Sequence, residues 1–353
     1  MVTNNPKPWA VLPDDWETAL LVGRIHTAAG PTPVAGRDLG AVEDFDFAAA
    51  PLLAPIDLQC VKAAGVTFAV SAVERVIEER ARGDAAKADE IRAALRDRVG
   101  ADIRSVTPGT GEAARLKAAL IADGLWSQYL EVAIGPDAEI FTKAPVLSSV
   151  GHGAQVGIRS DSAWNNPEPE VVIVCNRAGE VVGATLGNDV NLRDFEGRSA
   201  LLLGKAKDNN ASCALGPFIR IFDQGFTMDD VRRARVDLTI EGADGYRLEG
   251  CSSMDQISRD PLELVRRAMS EHQYPDGFAL FLGTLFAPTQ DRDAPGQGFT
   301  HKVGDLVRVS SPRLGVLENE VTTSKAAPPW TFGVGDLIRN LAGRGLLMAE
   351  AAR

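Results

Sequence analysis

The sequence predicts an α+β protein with a mainly β core and a smaller N-terminal α/β module. Short apolar runs recur after residue 140 with turn residues between them, the spacing of a sandwich or barrel. Ahead of them lie two stretches of helical periodicity, and the first 60 residues are rich in Pro and Gly with only short apolar runs. The expected division is an N-terminal domain over 1–135 with lid-like helices and a second domain over 136–353.

In chain order, the run 18–22 before Gly23 predicts a small N-terminal strand. Residues 71–99 carry alternating charges interrupted at Gly83-Asp84, which predicts a solvated helical pair suited to a lid. Residues 112–126 place Ala113, Leu116, Ala119 and Leu120 at helical spacing, so this helix packs on a core. The apolar runs 171–174, 181–186, 218–222, 236–240, 278–282 and 306–309 predict strands. Asp260-Pro261 ahead of 262–269 reads as an N-cap followed by proline at the first helical position. A last amphipathic helix is expected over 334–347.

Composition narrows the class of function. The chain has 353 residues, 45% of them hydrophobic and 24% charged, ample for a buried core. A net charge of −11 and a pI near 5.0 exclude a nucleic-acid partner, which needs concentrated positive charge. Cys60, Cys175, Cys213 and Cys251 are widely spaced without C-x-x-C, as free thiols of a reducing compartment are. With no apolar run long enough to span a membrane and no signal-like N-terminus, the expectation is a cytoplasmic protein without a membrane partner.

Chemistry concentrates between residues 168 and 207. Glu168 and Glu170 are two apart ahead of a β-branched run, so in an extended chain both side chains leave one face and reach one ion. Pro169 cannot donate to a ladder, which puts the segment at a strand start or edge. The run 181–186 ends at Gly187-Asn188-Asp189, a turn signature expected to hold Asp189 at the tip of a hairpin partner. Three carboxylates suit Mg2+, with Mn2+ or Ca2+ as alternatives, and no Cys/His cluster offers a softer site. Arg193, Lys205 and Lys207 supply cations for an anionic substrate. His152, between two glycines, is a further candidate for a substrate contact.

The whole phrase carries more than its parts. Gly187-Asn-Asp-Val-Asn-Leu-Arg-Asp194, then Lys207, then Leu215-Gly-Pro217, with Phe141-Thr-Lys143 upstream and Gly283-Thr284 and Leu314-Gly-Val-Leu-Glu-Asn-Glu-Val321 downstream, resembles the fumarylacetoacetate hydrolase family. The resemblance spans roughly residues 55 to 321 and implies that family's β-sandwich roll. It implies metal ligands at Glu168, Glu170 and Asp189, with Lys207, Arg193 and Thr284 near the substrate, and it extends the substrate-binding candidates to Lys143 and Ser149. A homodimer is common in this family.

One departure separates branches. Where hydrolytic members carry Tyr-Ala-x-His-x-x-Glu, this chain reads Phe68-Ala-Val-Ser71-Ala-Val-Glu74, and without the imidazole a hydrolytic water lacks its base. Glu139-Ile-Phe-Thr-Lys143, Val150-Gly-His-Gly153 and Pro167-Glu-Pro-Glu170 resemble the family's 2-keto-3-deoxy sugar acid dehydratases, in which residues matching Glu139 and Lys207 flank the substrate.

A 2-keto acid chelates a divalent ion through its carboxylate and keto oxygen, so the ion stabilises the enolate formed when a C3 proton leaves and the C4 hydroxyl follows. Glu139 or Glu74 is assigned to the proton transfers. Lys207 either protonates the departing hydroxyl or holds the keto oxygen, and Arg193 either binds the substrate carboxylate or pairs with Asp194 or Glu196. The expected function is dehydration of a 2-keto-3-deoxypentonate to 2-oxoglutarate semialdehyde (2,5-dioxopentanoate) in sugar acid catabolism. An acylpyruvate-type C–C hydrolase and a non-catalytic keto-acid binder are the alternatives.

Overall fold

A computed structural model describes residues 11–35, 50–82, 84, 86–88, 91, 106–286, 288–295 and 298–347. Strands β1 (Leu21–Thr27), β2 (Gly30–Ala35), β3 (Leu52–Leu53) and β4 (Cys60–Gly65) precede helices α1 (Ala69–Ala81), α2 (Gly111–Ala122) and α3 (Gln128–Ile134). Next come β5 (Glu139–Ala144), β6 (Gln155–Ile158), β7 (Asn165–Asn166), β8 (Pro169–Cys175), β9 (Val181–Asp189) and β10 (Asn191–Leu192). Short helices α4 (Arg193–Glu196) and α5 (Leu203–Lys207) lead to β11 (Cys213–Ile221), α6 (Met228–Arg232), β12 (Arg235–Glu241) and β13 (Arg247–Ser253). Then follow α7 (Pro261–Met269), β14 (Phe278–Phe281), β15 (Leu306–Ser311), β16 (Gly315–Thr323) and α8 (Val334–Gly343).

Two sheets make the β core. The larger runs β2-β1-β11-β9-β8-β14-β4-β5 with β3 added on β1, and the smaller runs β13-β12-β15-β16-β6. Strand β8 shows why its sequence is continuously apolar. Val171, Ile173 and Cys175 pack with Val236, Leu238 and Ile240 of β12 and with Val307 and Val309 of β15, between the sheets. Val172 and Val174 point the other way, into a cluster with Val61, Ala63, Leu215, Ala279 and Phe281. A strand buried on both faces loses the polar alternation of a half-exposed one.

The 135/136 division cuts through the larger sheet, because β1 pairs with β11 and β4 pairs with β14. The helices of the N-terminal part do gather separately: Ala72, Val76 and Ile77 of α1 pack with Ala113 and Leu120 of α2, Leu130 and Ala133 of α3, and Trp164. Helix α7 starts as its sequence demands, with Asp260 accepting from Leu262 N at 2.9 Å and Pro261 at its first position. Helix α8 ends at Gly343, earlier than its apolar pattern suggests, and Asn340 and Arg344 tie it to the β1–β2 hairpin through Ala29 O and Pro31 O. Of the charged stretch expected as a helical pair, α1 covers the first part; residues 92–99 lie outside the described residues.

The turn expected at 187–189 is not there. Gly187 pairs with Glu170 and Asn188 with Pro169, so β9 runs through to Asp189. A Cβ on residue 187 would lie 2.2 Å from the Phe281 ring, so this glycine serves close packing and not a reversal of the chain.

Candidate metal and substrate site

Strand register assembles the acidic group. Pro169 opens β8, as expected of a residue without an N–H to give the ladder, and Glu168 and Glu170 flank it. Asp189 N donates to Glu168 O at 3.0 Å and Glu168 N to Asn188 Oδ1 at 3.2 Å, which locks the end of β9 against the start of β8. On its other side Asp189 pairs with Cys213 of β11. One carboxylate oxygen from each of Glu168, Glu170 and Asp189 lies within 4.8 Å of the other two, and all three residues are buried.

These carboxylates line a cavity of about 20 Å3, room for one small ion or water, walled also by Gly65, Ser71, Arg75, Glu139, Glu196 and Lys207. Lys207, from α5, pairs with Glu168 Oε2 at 2.5 Å and Asp189 Oδ2 at 3.2 Å. Burial opposes its charge, but Asp189 and Glu168 hold its pKa well above the usual lysine value. Glu168 is likewise opposed by burial, and Lys207 and Arg75 hold it down at about 2. Glu170 has fewer cations: it accepts from Gly283 N at 2.7 Å, and burial beside Asp189 and Glu168 pushes its pKa well up.

Glu139 stands opposite Gly65 across β4 and β5, and burial, reinforced by the Glu196 carboxylate, pushes it up to about 7. Thr284 lines the same cavity, its Oγ1 donating to Phe286 O at 2.9 Å. The remaining candidates lie elsewhere. Lys143 is fully buried behind Asp189, 2.8 Å from its Oδ1, and also donates to Lys207 O. Arg193 is turned away from the cavity, donating to Pro288 O at 2.6 Å, pairing with Glu78 at 3.1 Å and lying over the Trp164 ring. Its partner is therefore neither Asp194 nor Glu196. Ser149 Oγ donates to Cys213 Sγ, and His152 Nδ1 accepts from Glu318 N at 3.1 Å; neither lines the cavity. Glu74, half-buried on α1, is outside the lining as well.

Three residues at or beside the cavity were not singled out by sequence reasoning as part of the site. Arg75, Glu78 and Glu196 form a buried network in which Arg75 Nη1 meets Glu78 Oε2 at 2.6 Å and Glu196 Oε2 at 2.7 Å, while Nη2 meets Glu168 Oε1. Part of the charged face of α1, expected to be solvated, is turned inward here: Arg75 and Glu78 find counter-charges, whereas Arg80 stays exposed. A signal was present in the helical spacing of Ser71, Arg75 and Glu78, which share one face. Ser71 itself holds the helix start: its Oγ accepts from Phe68 N at 3.3 Å and donates to Phe68 O at 2.7 Å.

The donor set fits a hard divalent ion. All three candidate ligands offer carboxylate oxygen, the preference of Mg2+, Mn2+ and Ca2+. Among the described residues, the carboxyl groups Glu78, Glu139, Glu168, Glu170, Asp189 and Glu196 meet the cations Arg75, Lys143, Arg193 and Lys207.

A family model described as fumarylacetoacetate (FAA) hydrolase C-terminal matches residues 127–322. A probable 2-keto-3-deoxyxylonate dehydratase of Haloferax volcanii is 32% identical over 195 residues, covering 55% of this chain and 64% of the relative. A 2-dehydro-3-deoxy-D-arabinonate dehydratase of Saccharolobus solfataricus is 31% identical over 182 residues, 51% of this chain and 57% of that one. The chain thus spans less than two thirds of either relative. Among solved structures, 2-keto-3-deoxyarabinonate dehydratase in a hexagonal crystal form matches with a TM-score of 0.60 at 21% identity, covering 86% of this chain and 99% of the other. A 2-keto-3-deoxy-D-arabinonate dehydratase complexed with magnesium and 2,5-dioxopentanoate matches with a TM-score of 0.55 at 23% identity, covering 83% of each chain. These structural likenesses establish the fold. With more than half of its length matched by the family model, the chain belongs to the fumarylacetoacetate hydrolase family.

Proposed function

We propose that this chain is a divalent-metal hydro-lyase that dehydrates a 2-keto-3-deoxypentonate to 2,5-dioxopentanoate, in the cytoplasm and as a homo-oligomer. One observation carries the reading: the acidic triad, Lys207 and Glu139 open on a single cavity whose described lining includes no histidine. The curated relatives, both named as dehydratases of 2-keto-3-deoxy acids, support the substrate class.

Glu168, Glu170 and Asp189 would hold a divalent ion, Mg2+ first, which would supply Lewis-acid polarisation of the keto oxygen. Glu139, with a pKa of about 7, is suited to take the C3 proton near neutrality. Lys207, whose ammonium lies between Glu168 and Asp189 on the cavity wall, is assigned the proton that the C4 hydroxyl takes as it leaves as water. Protons then move from C5 and the enol oxygen to C3 and C4, and the terminal carbinol carbon becomes the aldehyde. Glu139 carries the proton transfers in this reading, because Glu74 is outside the lining.

The test is purified protein with Mg2+ and a 2-keto-3-deoxypentonate, read as semialdehyde formed. Cleavage of an acylpyruvate without dehydration would put the chain among C–C hydrolases. Affinity for the keto acid without turnover would make it a binder.

A further inference from the structure

Among the described cations near the triad, only Arg75 and Lys207 line the cavity; Arg193 and Lys143 are spent behind it. Both oxygens of Glu168 are taken by these two, Oε1 by Arg75 Nη2 and Oε2 by Lys207 Nζ. A cation bound by the triad competes with both for the same oxygens. The two edges of the Arg75 guanidinium differ in how they are held. Nη1 is fixed by Glu78 and Glu196, and Glu78 is fixed in turn by Arg193 Nε at 3.1 Å. Nη2 meets Glu168, so the Glu168 oxygen marks where an anionic oxygen meets this edge. With Nη1 clamped, the Nη2 side is the one that faces a substrate: once a cation draws Glu168 away, the Nη2 N–H is free to donate to a substrate carboxylate oxygen.

We propose that Arg75 is the anchor for the carboxylate of the 2-keto acid, with the Glu78–Arg193 pair as the brace that aims it. This rests on the keto-acid reading of the site and assigns to Arg75 the contact that the sequence suggested for Arg193.

The experiment compares wild type, Arg75→Met and Arg75→Lys by calorimetry with Mn2+ alone, then with pyruvate or its uncharged amide, pyruvamide, in saturating Mn2+. Expected for Arg75→Met is pyruvate binding weakened about 10- to 100-fold, the size of a charge-assisted contact. Pyruvamide should be held within about threefold, and Mn2+ at least as tightly, since a competitor for Glu168 is gone. Arg75→Lys keeps a charge without the fork and should fall between. Equal weakening of both probes indicates a merely structural residue and overturns the proposal, as does unchanged pyruvate affinity or a wild type that binds no pyruvate. If Arg75→Met fails to fold, Arg75→Lys decides: wild-type pyruvate affinity overturns the anchor, and selective loss for pyruvate supports it. A wild type that binds pyruvate without dehydrating any 2-keto-3-deoxypentonate removes the proposed function and leaves the anchor standing.

Discussion

Gly65 and Glu139 face each other across β4 and β5 so closely that a Cβ on residue 65 would lie 2.1 Å from Glu139 Oε2. The hydrogen side chain of residue 65 is thus what lets the carboxyl reach the cavity, a close-approach role that only glycine fills. Gly65→Ala should push that carboxyl off its position and lower the dehydration kcat by about 100-fold, the effect of displacing a reacting group by about 1 Å. Mg2+ affinity, set on β8 and β9, should be unchanged. Steady-state kinetics with calorimetry checks both; a wild-type kcat would remove Glu139 from proton transfer.

Glu139 also sets a pH dependence. Burial raises its pKa to about 7, so the folded state favours the protonated acid. The stability this provides is complete below the ordinary glutamate range near 4.5 and is lost as pH rises through 7. In metal-free protein, Glu139→Gln should therefore melt higher than wild type at pH 8, by about 3 kcal/mol of stability, and almost equally at pH 4.5. Denaturation at the two pH values is the check, and an equal difference at both would contradict the placement of this carboxyl.

The triad makes opposite predictions with and without metal. Burial and the neighbouring Asp189 and Glu168 carboxylates disfavour an ionised Glu170. Glu170→Gln should raise the melting temperature in chelator and abolish the further rise on adding Mg2+. Loss of a ligand should weaken Mg2+ binding by more than the roughly 100-fold typical of supporting residues. A variant that Mg2+ still stabilises like wild type would reject Glu170 as a ligand.

Arg193 is a brace, and its removal should register in stability first. Arg193→Met takes one cation from buried Glu78, whose pKa burial already raises against Arg75 and Arg193. Breaking a buried pair from one side costs about 3–5 kcal/mol. Urea unfolding measures it; a loss below about 1 kcal/mol would show that Arg75 alone satisfies Glu78.

The strands of the apolar runs were legible because doubly buried strands spell themselves out, as 171–174 and 278–282 do. Strand β13 was not, since Arg247, Glu249 and Gly250 break its apolar pattern at a sheet edge. Strand β16 lies within the family phrase but does not read as a strand, because three consecutive polar residues, Glu318-Asn319-Glu320, interrupt its apolar run. At the site, the triad could be read because β8 and β9 are adjacent in the chain and their motif is dense. The Arg75–Glu168 contact joins residues 93 apart, and nothing local in α1 announces a partner on β8. Asp189 was placed on a turn because Gly-Asn-Asp is turn chemistry; the Phe281 ring beneath Gly187 was invisible in one dimension.

Val66, joining β4 to α1, has a φ of +54°, a conformation that β-branched residues rarely adopt. The carboxylates of the triad hang from strands wedged between two apolar layers, whereas Ser71 and Arg75 arrive on a helix whose departure angle that one dihedral helps to set. The pocket is therefore framed by two separately supported walls, one of strands and one of helix. Substitutions around the joint would move Ser71 and Arg75 relative to carboxylates that the strands keep in place.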